Sequence, residues 1–120
     1  MVKLDARGQP SYTIIEHVAW DVLSWTPAWQ QLAATTDAVC YGSLAQRSAT
    51  SRNTIRRFLD AVPRGAVRIF DVNLRPPHDD LALVRDLARG ATLLKLNREE
   101  AARLADRRPI AGREESLARA

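Results

Sequence analysis

Three short apolar runs, Ala38-Val39-Cys40-Tyr41, Val67-Arg68-Ile69-Phe70-Asp71-Val72 and Thr92-Leu93-Leu94-Lys95-Leu96, alternate with longer segments whose apolar residues recur at helical spacing. Strand-length runs interleaved with helix-length patterns mark parallel strands joined by helical crossovers, so this order predicts an α/β fold with a parallel sheet and flanking helices. The flanking residues agree. From Ser48 to Val62, Ile55, Phe58, Leu59 and Val62 fall on one helix face, and Pro63 and Gly65 stop the pattern. Asp79 or Asp80 can cap a helix to about Arg89 with Leu83, Val84 and Leu87 on one face and Gly90 as its stop. Thr26 as cap and Pro27 in the first turn predict a short helix to about Ala34, and Asn97 opens another through about Ala105. A further helix is expected to begin at Glu114 and run to Ala120. Ahead of all these, residues 2–5 and 11–16 flank Gly8-Gln9-Pro10 and read as a β-hairpin.

Composition narrows the class of protein. A chain of 120 residues, 46% apolar and 27% charged, has the size and balance of one globular domain. No apolar run approaches the ~20 residues that a bilayer crossing needs. The start, Met-Val-Lys-Leu-Asp, has no apolar signal core, so a cytoplasmic protein without a membrane partner is expected. The single cysteine, Cys40, excludes an internal disulfide and is expected to be a small buried residue. A net charge of +4 raises nucleic acid as a partner. Residues 48–76 alone carry +4, mainly through Arg52, Arg56, Arg57, Arg64 and Arg68. A surplus confined to one stretch reads as a solvated helix face, and no nucleic-acid partner is expected. His17 and His78 lack metal-ligand spacing and are read as incidental, and Trp20, Trp25 and Trp29 as packing residues.

In sheets of this kind ligands bind at the carboxyl ends of the strands. Asp71, Asn73 and Arg75 occupy alternate positions there and share one side if the strand runs that far. Arg75 offers a planar fork to phosphate or carboxylate, and Asn73 can donate to the same oxygens. The competing reading is a local Asp71–Arg75 ion pair that holds the turn before Pro76. Asn97 and Glu100 are spaced as a capping box, in which each side chain accepts from the other's backbone amide. The same two side chains also suit a hydrated Mg²⁺, which prefers oxygen ligands, and the two roles can coexist. Gly42-Ser43, after the first sheet strand, would let a ligand approach the backbone closely.

Taken in order, Gly8-Gln9-Pro10-Ser11-Tyr12-Thr13-Ile14, Ala19-Trp20-Asp21, Tyr41-Gly42-Ser43-Leu44-Ala45-Gln46-Arg47, Asp71-Val72-Asn73-Leu74-Arg75-Pro76-Pro77 and Leu94-Lys95-Leu96-Asn97-Arg98-Glu99-Glu100 resemble the PfkB, or ribokinase-like, family of carbohydrate kinases. The fructokinase-like members are the most similar. The resemblance implies a ribokinase-like (Rossmann-like) parallel sheet, here incomplete, forming one partial kinase domain over residues 1–120. Residues 1–18 would be a hairpin from the family's lid, which also implies a homodimer contact, and residues 19–120 part of the α/β core. It further implies phosphorylation of a sugar hydroxyl, on a fructose-like sugar, with ATP as co-substrate and Mg²⁺ as cofactor. Asn73, Arg75 and Asn97 would then bind substrate or phosphate, and Glu100 would serve the metal. The family's Gly-rich sugar grip, and the Gly-Ala-Gly-Asp motif that supplies anion hole and catalytic base, have no match in these residues. The expectation is therefore a central part of such a kinase, without turnover of its own. The alternative is a stand-alone α/β module or truncated remnant that binds a phosphorylated ligand without catalysis.

Overall fold

A computed structural model describes residues 2–106; the helix expected over 114–120 lies outside the described residues. The chain opens with an antiparallel hairpin, β1 (Val2–Leu4) and β2 (Pro10–Tyr12), in the register Val2 to Tyr12. Asp5 builds its turn: Oδ1 accepts from the amides of Arg7 and Gln9 at 2.8 and 2.9 Å, and Gly8 adopts φ +73°. A side chain there would be strained, because only glycine enters that region at no steric cost. The second arm ends at Tyr12 rather than at 16. Beyond it the chain turns toward the body of the protein, where Ile14 is half-buried and the Ile15 carbonyl accepts from Arg47 instead of a strand.

After a 3-10 turn at Ala19–Asp21 come α1 (Pro27–Ala34), β3 (Ala38–Gly42), a second 3-10 turn at Leu44–Arg47, α2 (Ala49–Ala61), β4 (Val67–Asp71), α3 (Leu81–Arg89), β5 (Leu93–Lys95) and α4 (Arg98–Ala105). The expected caps form. Thr26 Oγ1 accepts from Trp29 N at 3.4 Å, and Asp80 Oδ1 accepts from Ala82 N and Leu83 N. The three later strands form a parallel sheet in the order β3-β4-β5, with Tyr41, Phe70 and Leu94 in one register row and Gly42, Asp71 and Lys95 in the next. Strand order follows chain order, so both crossovers, α2 and α3, bring apolar residues to the same core.

That core contains Tyr41, Phe70, Val72, Leu74, Val84 and Leu87, with Leu59 of α2 packed against it. Phe70, Val72 and Val84 are fully buried. The Tyr41 and Phe70 rings stack with centroids 5.4 Å apart, and the Tyr41 hydroxyl donates to the Leu87 carbonyl at 3.3 Å. A buried phenol paired in this way joins sheet to helix without leaving an unsatisfied oxygen. A smaller cluster of Ala33, Val62 and Ala66 is flanked by Phe58, whose ring Trp29 meets edge-on at 5.6 Å. Trp25 lies under the Arg57 guanidinium at 4.6 Å, whereas Trp20 is 43% exposed. Two of the three tryptophans are thus packing residues.

The strand at 38–41 is not buried throughout. Tyr41 is buried and Val39 half-buried, but Ala38 and Cys40 are exposed, and so are Val67 and Leu93 on the same side of the sheet. The reason is the layering: the crossover helices cover the Tyr41–Phe70 face, and alternation along the strand turns Cys40 to the other one. The basic stretch is engaged locally. Arg52 donates to the Gln46 carbonyl, Arg56 pairs with Asp86, and Arg68 reaches the carbonyls of Leu59, Val62 and Pro63 at the end of α2. Among the described residues no helix is long and apolar enough to cross a membrane.

Replacing Phe70 with Ala should remove about 3–5 kcal/mol of stability, because a fully buried ring leaves a cavity. The same truncation at Leu93, which is 50% exposed, should cost under about 1 kcal/mol. Urea unfolding of the two variants beside the parent chain measures both.

Candidate functional site

Parallel pairing brings the loops that follow β3, β4 and β5 to one edge of the sheet. At that edge Lys95 Nζ sits 2.7 Å from Asp71 Oδ2. The hydrogen bond to Asp71 holds the Lys95 ammonium above its usual range. One residue further on, Val72 N donates to the Lys95 carbonyl, and the chain then leaves the sheet at Asn73 with φ +38°. Asparagine is among the few residues that tolerate this left-handed region.

That turn ends the alternation expected over Asp71, Asn73 and Arg75, because the strand stops at Asp71. Nor does Asp71 hold Arg75: its ionic partner is Lys95, and Arg75 Nη1 donates to the Leu74 carbonyl at 3.2 Å. Asn73 and Arg75 are both exposed. Asn73 joins Gly42, Ser43, Leu44 and Asp71 around a recess of about 290 Å³, while Arg75 and Asn97 are outside that lining. Beside it, Gln46 is fully buried; its Nε2 donates to the Gly42 carbonyl, and its Oε1 has no hydrogen-bond partner among the described residues.

Glu100 ties the second half of the edge together. The capping box is formed: Asn97 Oδ1 accepts from Glu100 N, and Glu100 Oε2 accepts from Asn97 N, both at 2.9 Å. Its other oxygen, Oε1, accepts from Leu74 N at 2.8 Å. One buried carboxylate thus joins the start of α4 to the loop that carries Asn73 and Arg75. Among the described residues no three His, Cys, Asp or Glu side chains cluster as metal ligands.

A second polar assembly lies where the hairpin meets the body of the protein. The Arg47 guanidinium donates from Nε and Nη2 to the two oxygens of Asp21, each at 2.8 Å, from Nη2 also to the Ile15 carbonyl, and from Nη1 to His78 Nε2 at 3.1 Å. Both members of the ion pair are largely buried. The bond from Arg47 holds the Asp21 carboxyl down to about 2, against the smaller opposing effect of burial. On the helix side, Ser51 Oγ donates to the Trp20 carbonyl and accepts from Leu23 N, and Thr54 Oγ1 donates to the Leu23 carbonyl. The most buried positions of α2 are therefore hydroxyls that hold residues 20–23, and its apolar residues Ile55, Phe58 and Leu59 are only half-buried. His17 (φ +57°), Glu16, Thr50 and His78 line a cleft of about 410 Å³ around this assembly.

His78 is thus not incidental, and nothing in the residues around it announces the contact with Arg47, 31 positions away. The one available signal is the presence of Asp21 and Arg47 in two of the stretches that carry the family resemblance. No protein-family model matches this sequence, and no curated protein is significantly similar to it.

Two outcomes are expected. Asp21→Asn should lower the Tm at neutral pH. A carboxyl depressed on folding contributes stability above its unfolded value near 3.9 and loses it as pH falls through the folded value of about 2, so the Tm gap between variant and parent should close between about pH 4 and pH 2. Glu100→Gln retains one acceptor where two amides, the buried one of Leu74 and the part-buried one of Asn97, need one each, and should cost about 1–3 kcal/mol in urea unfolding.

Proposed function

We propose that this chain is the central part of an ATP-dependent sugar kinase of the PfkB, ribokinase-like class, with a fructose-like sugar as acceptor, and that it has no turnover by itself. The observation that supports the reading best is the Glu100 carboxylate bonded to both Leu74 N and Asn97 N. It makes a rigid unit of the two motifs that the resemblance assigns to phosphate and metal. Phosphoryl transfer depends chiefly on positioning and on stabilising charge at the phosphoryl oxygens, and a fixed edge of donors is suited to that task.

In this reading Arg75 presents its guanidinium, and Asn73 its amide, to phosphate oxygens or sugar hydroxyls. The first amides of α4, behind Asn97, favour an anion at the helix start. Gly42 and Ser43 keep the neighbouring backbone open to a ligand. The residues suit a hydrated Mg²⁺ that arrives with the nucleotide rather than a resident ion. Glu100 already uses each oxygen on an amide, and Mg²⁺ needs only one or two carboxylates when phosphates and waters complete its shell. When bound, the ion neutralises phosphate charge. The amino-terminal hairpin is the counterpart of a lid strand pair and offers a homodimer contact. The sequence has no Gly-x-Gly-Asp motif to supply a general base, which is why no turnover is expected of this chain.

The test is sugar-dependent ADP release. The purified 120-residue chain is expected to give none above a heat-killed control, whereas the protein encoded by the full reading frame around it should turn over. In that protein Asn73→Ala or Arg75→Ala should lower kcat/KM by about 10²-fold or more, as expected for loss of a positioned donor. Turnover by the short chain would overturn the reading. So would stabilisation by a sugar phosphate alone in a full-frame protein that never consumes ATP.

A further inference from the structure

The Arg47 assembly has a property that its ion pair alone does not require. A guanidinium has five donors and no acceptor, so the 3.1 Å contact from Arg47 Nη1 requires His78 Nε2 to be the acceptor. The tautomer that meets this requirement carries its proton on Nδ1. Arg47 is at the same time bonded to the Ile15 carbonyl, at the exit of the hairpin, and to Asp21. His78 belongs to the segment that leaves β4 through Asn73 and Arg75, and its own amide donates to the Arg75 carbonyl at 2.7 Å. One side chain thus bridges the hairpin exit and the loop with the exposed donors.

We infer that Arg47 and His78 form a protonation-sensitive latch that holds the Asn73–His78 loop against the exit of the amino-terminal hairpin. A proton on Nε2 removes the acceptor and sets a second cation 3.1 Å from the guanidinium. The charged groups around the imidazole fix where the response comes from. Asp21 stays ionised down to about 2, so it holds Arg47 in place throughout the range in which histidine titrates. Glu16 and His17 line the same cleft from the hairpin side. On the other side Asp79 is taken by Arg103 of α4 at 2.7 Å, and Asp80 caps α3. Arg47 therefore keeps its bonds to Asp21 and Ile15 when His78 lets go, and the loop, not the hairpin turn, is released first. The inference goes beyond the kinase reading and needs no substrate, so either can fail while the other stands.

Amide hydrogen exchange on the 120-residue chain at pH 8 and pH 5.5, expressed as protection factors, reads the latch. Loss of a hydrogen bond from a charged donor should lower protection over residues 74–80 about tenfold at the acid pH. His78→Gln keeps an acceptor oxygen but does not titrate, and its protection should be the same at both pH values. His17→Gln should respond as the parent does. In the parent chain at pH 8, ¹⁵N chemical shifts of the imidazole should report the Nδ1–H tautomer of His78. The latch is overturned by an Nε2–H tautomer, by a parent chain whose loop protection does not fall, by an equal fall in His78→Gln, or by loss of the response in His17→Gln.

Discussion

Parallel strands cannot be joined by a tight turn; each connection must carry the chain back across the sheet before the next strand begins. In this protein that constraint collects the residues after β3, β4 and β5 at one edge, although 42–47, 72–80 and 96–100 are far apart in sequence. The bonds that define the edge depend on it. Glu100 finds Leu74 N 26 positions away because β4 and β5 are adjacent and aligned, with Asp71 opposite Lys95. Arg47 meets His78 because β3 and β4 end side by side. Loosening the register would separate these partners before it disturbed any one helix.

The edge is held by charge and the interior by apolar contact, and the two respond differently to change. Around Phe70 the loss of a side chain costs cavity and contact energy that falls gradually with the volume removed. At Asp21 and Arg47 the loss of either partner leaves the other ionised and largely buried, and the penalty for such an unpaired charge exceeds what the pair itself contributes. Every donor nitrogen of Arg47 is used, and each Glu100 oxygen accepts an amide. That completeness matters more than the number of bonds, because a half-satisfied network in a low dielectric is worse than an apolar one. The hydroxyls of Ser51 and Thr54 follow the same rule, since they pair the Trp20 carbonyl and both backbone groups of Leu23.

What was legible in the sequence was local. Thr26 with Pro27, Asp80 two and three residues before the amides it caps, and Asn97 with Glu100 state their chemistry within four residues, and the helices begin where these residues put them. The parallel α/β arrangement was legible from the alternation of runs. The side of the sheet that would be covered was not. Val39 and Cys40 are adjacent and equally apolar, and only the placement of α2 and α3 distinguishes the half-buried one from the exposed one. The end of the strand at Asp71 was not legible either, because Val72-Asn73-Leu74 alternates in composition while the backbone at Asn73 turns left-handed. The Arg47 assembly was the least legible part, since its four acceptors come from three segments with no shared periodicity.

The exposed sheet face bears on how the chain should be understood. Parallel sheets are ordinarily covered on both faces, and their strands are apolar on both. Here the face with Ala38, Cys40, Val67, Ile69 and Leu93 keeps that apolar character as far as the Asp71–Lys95 ion pair at its edge, although its residues remain exposed or half-buried. Its composition therefore suits a covered layer, not a solvated one. Connections in chain order with the usual hand place successive crossover helices on one side, so strands β3 to β5 cannot cover both faces with α2 and α3 alone. A larger doubly wound sheet would meet that requirement with helices from elsewhere in its order, and the proposed kinase reading needs such a sheet. The polar edge and the apolar face then have one physical origin: a strand order that sends every loop to one end and both crossovers to one side.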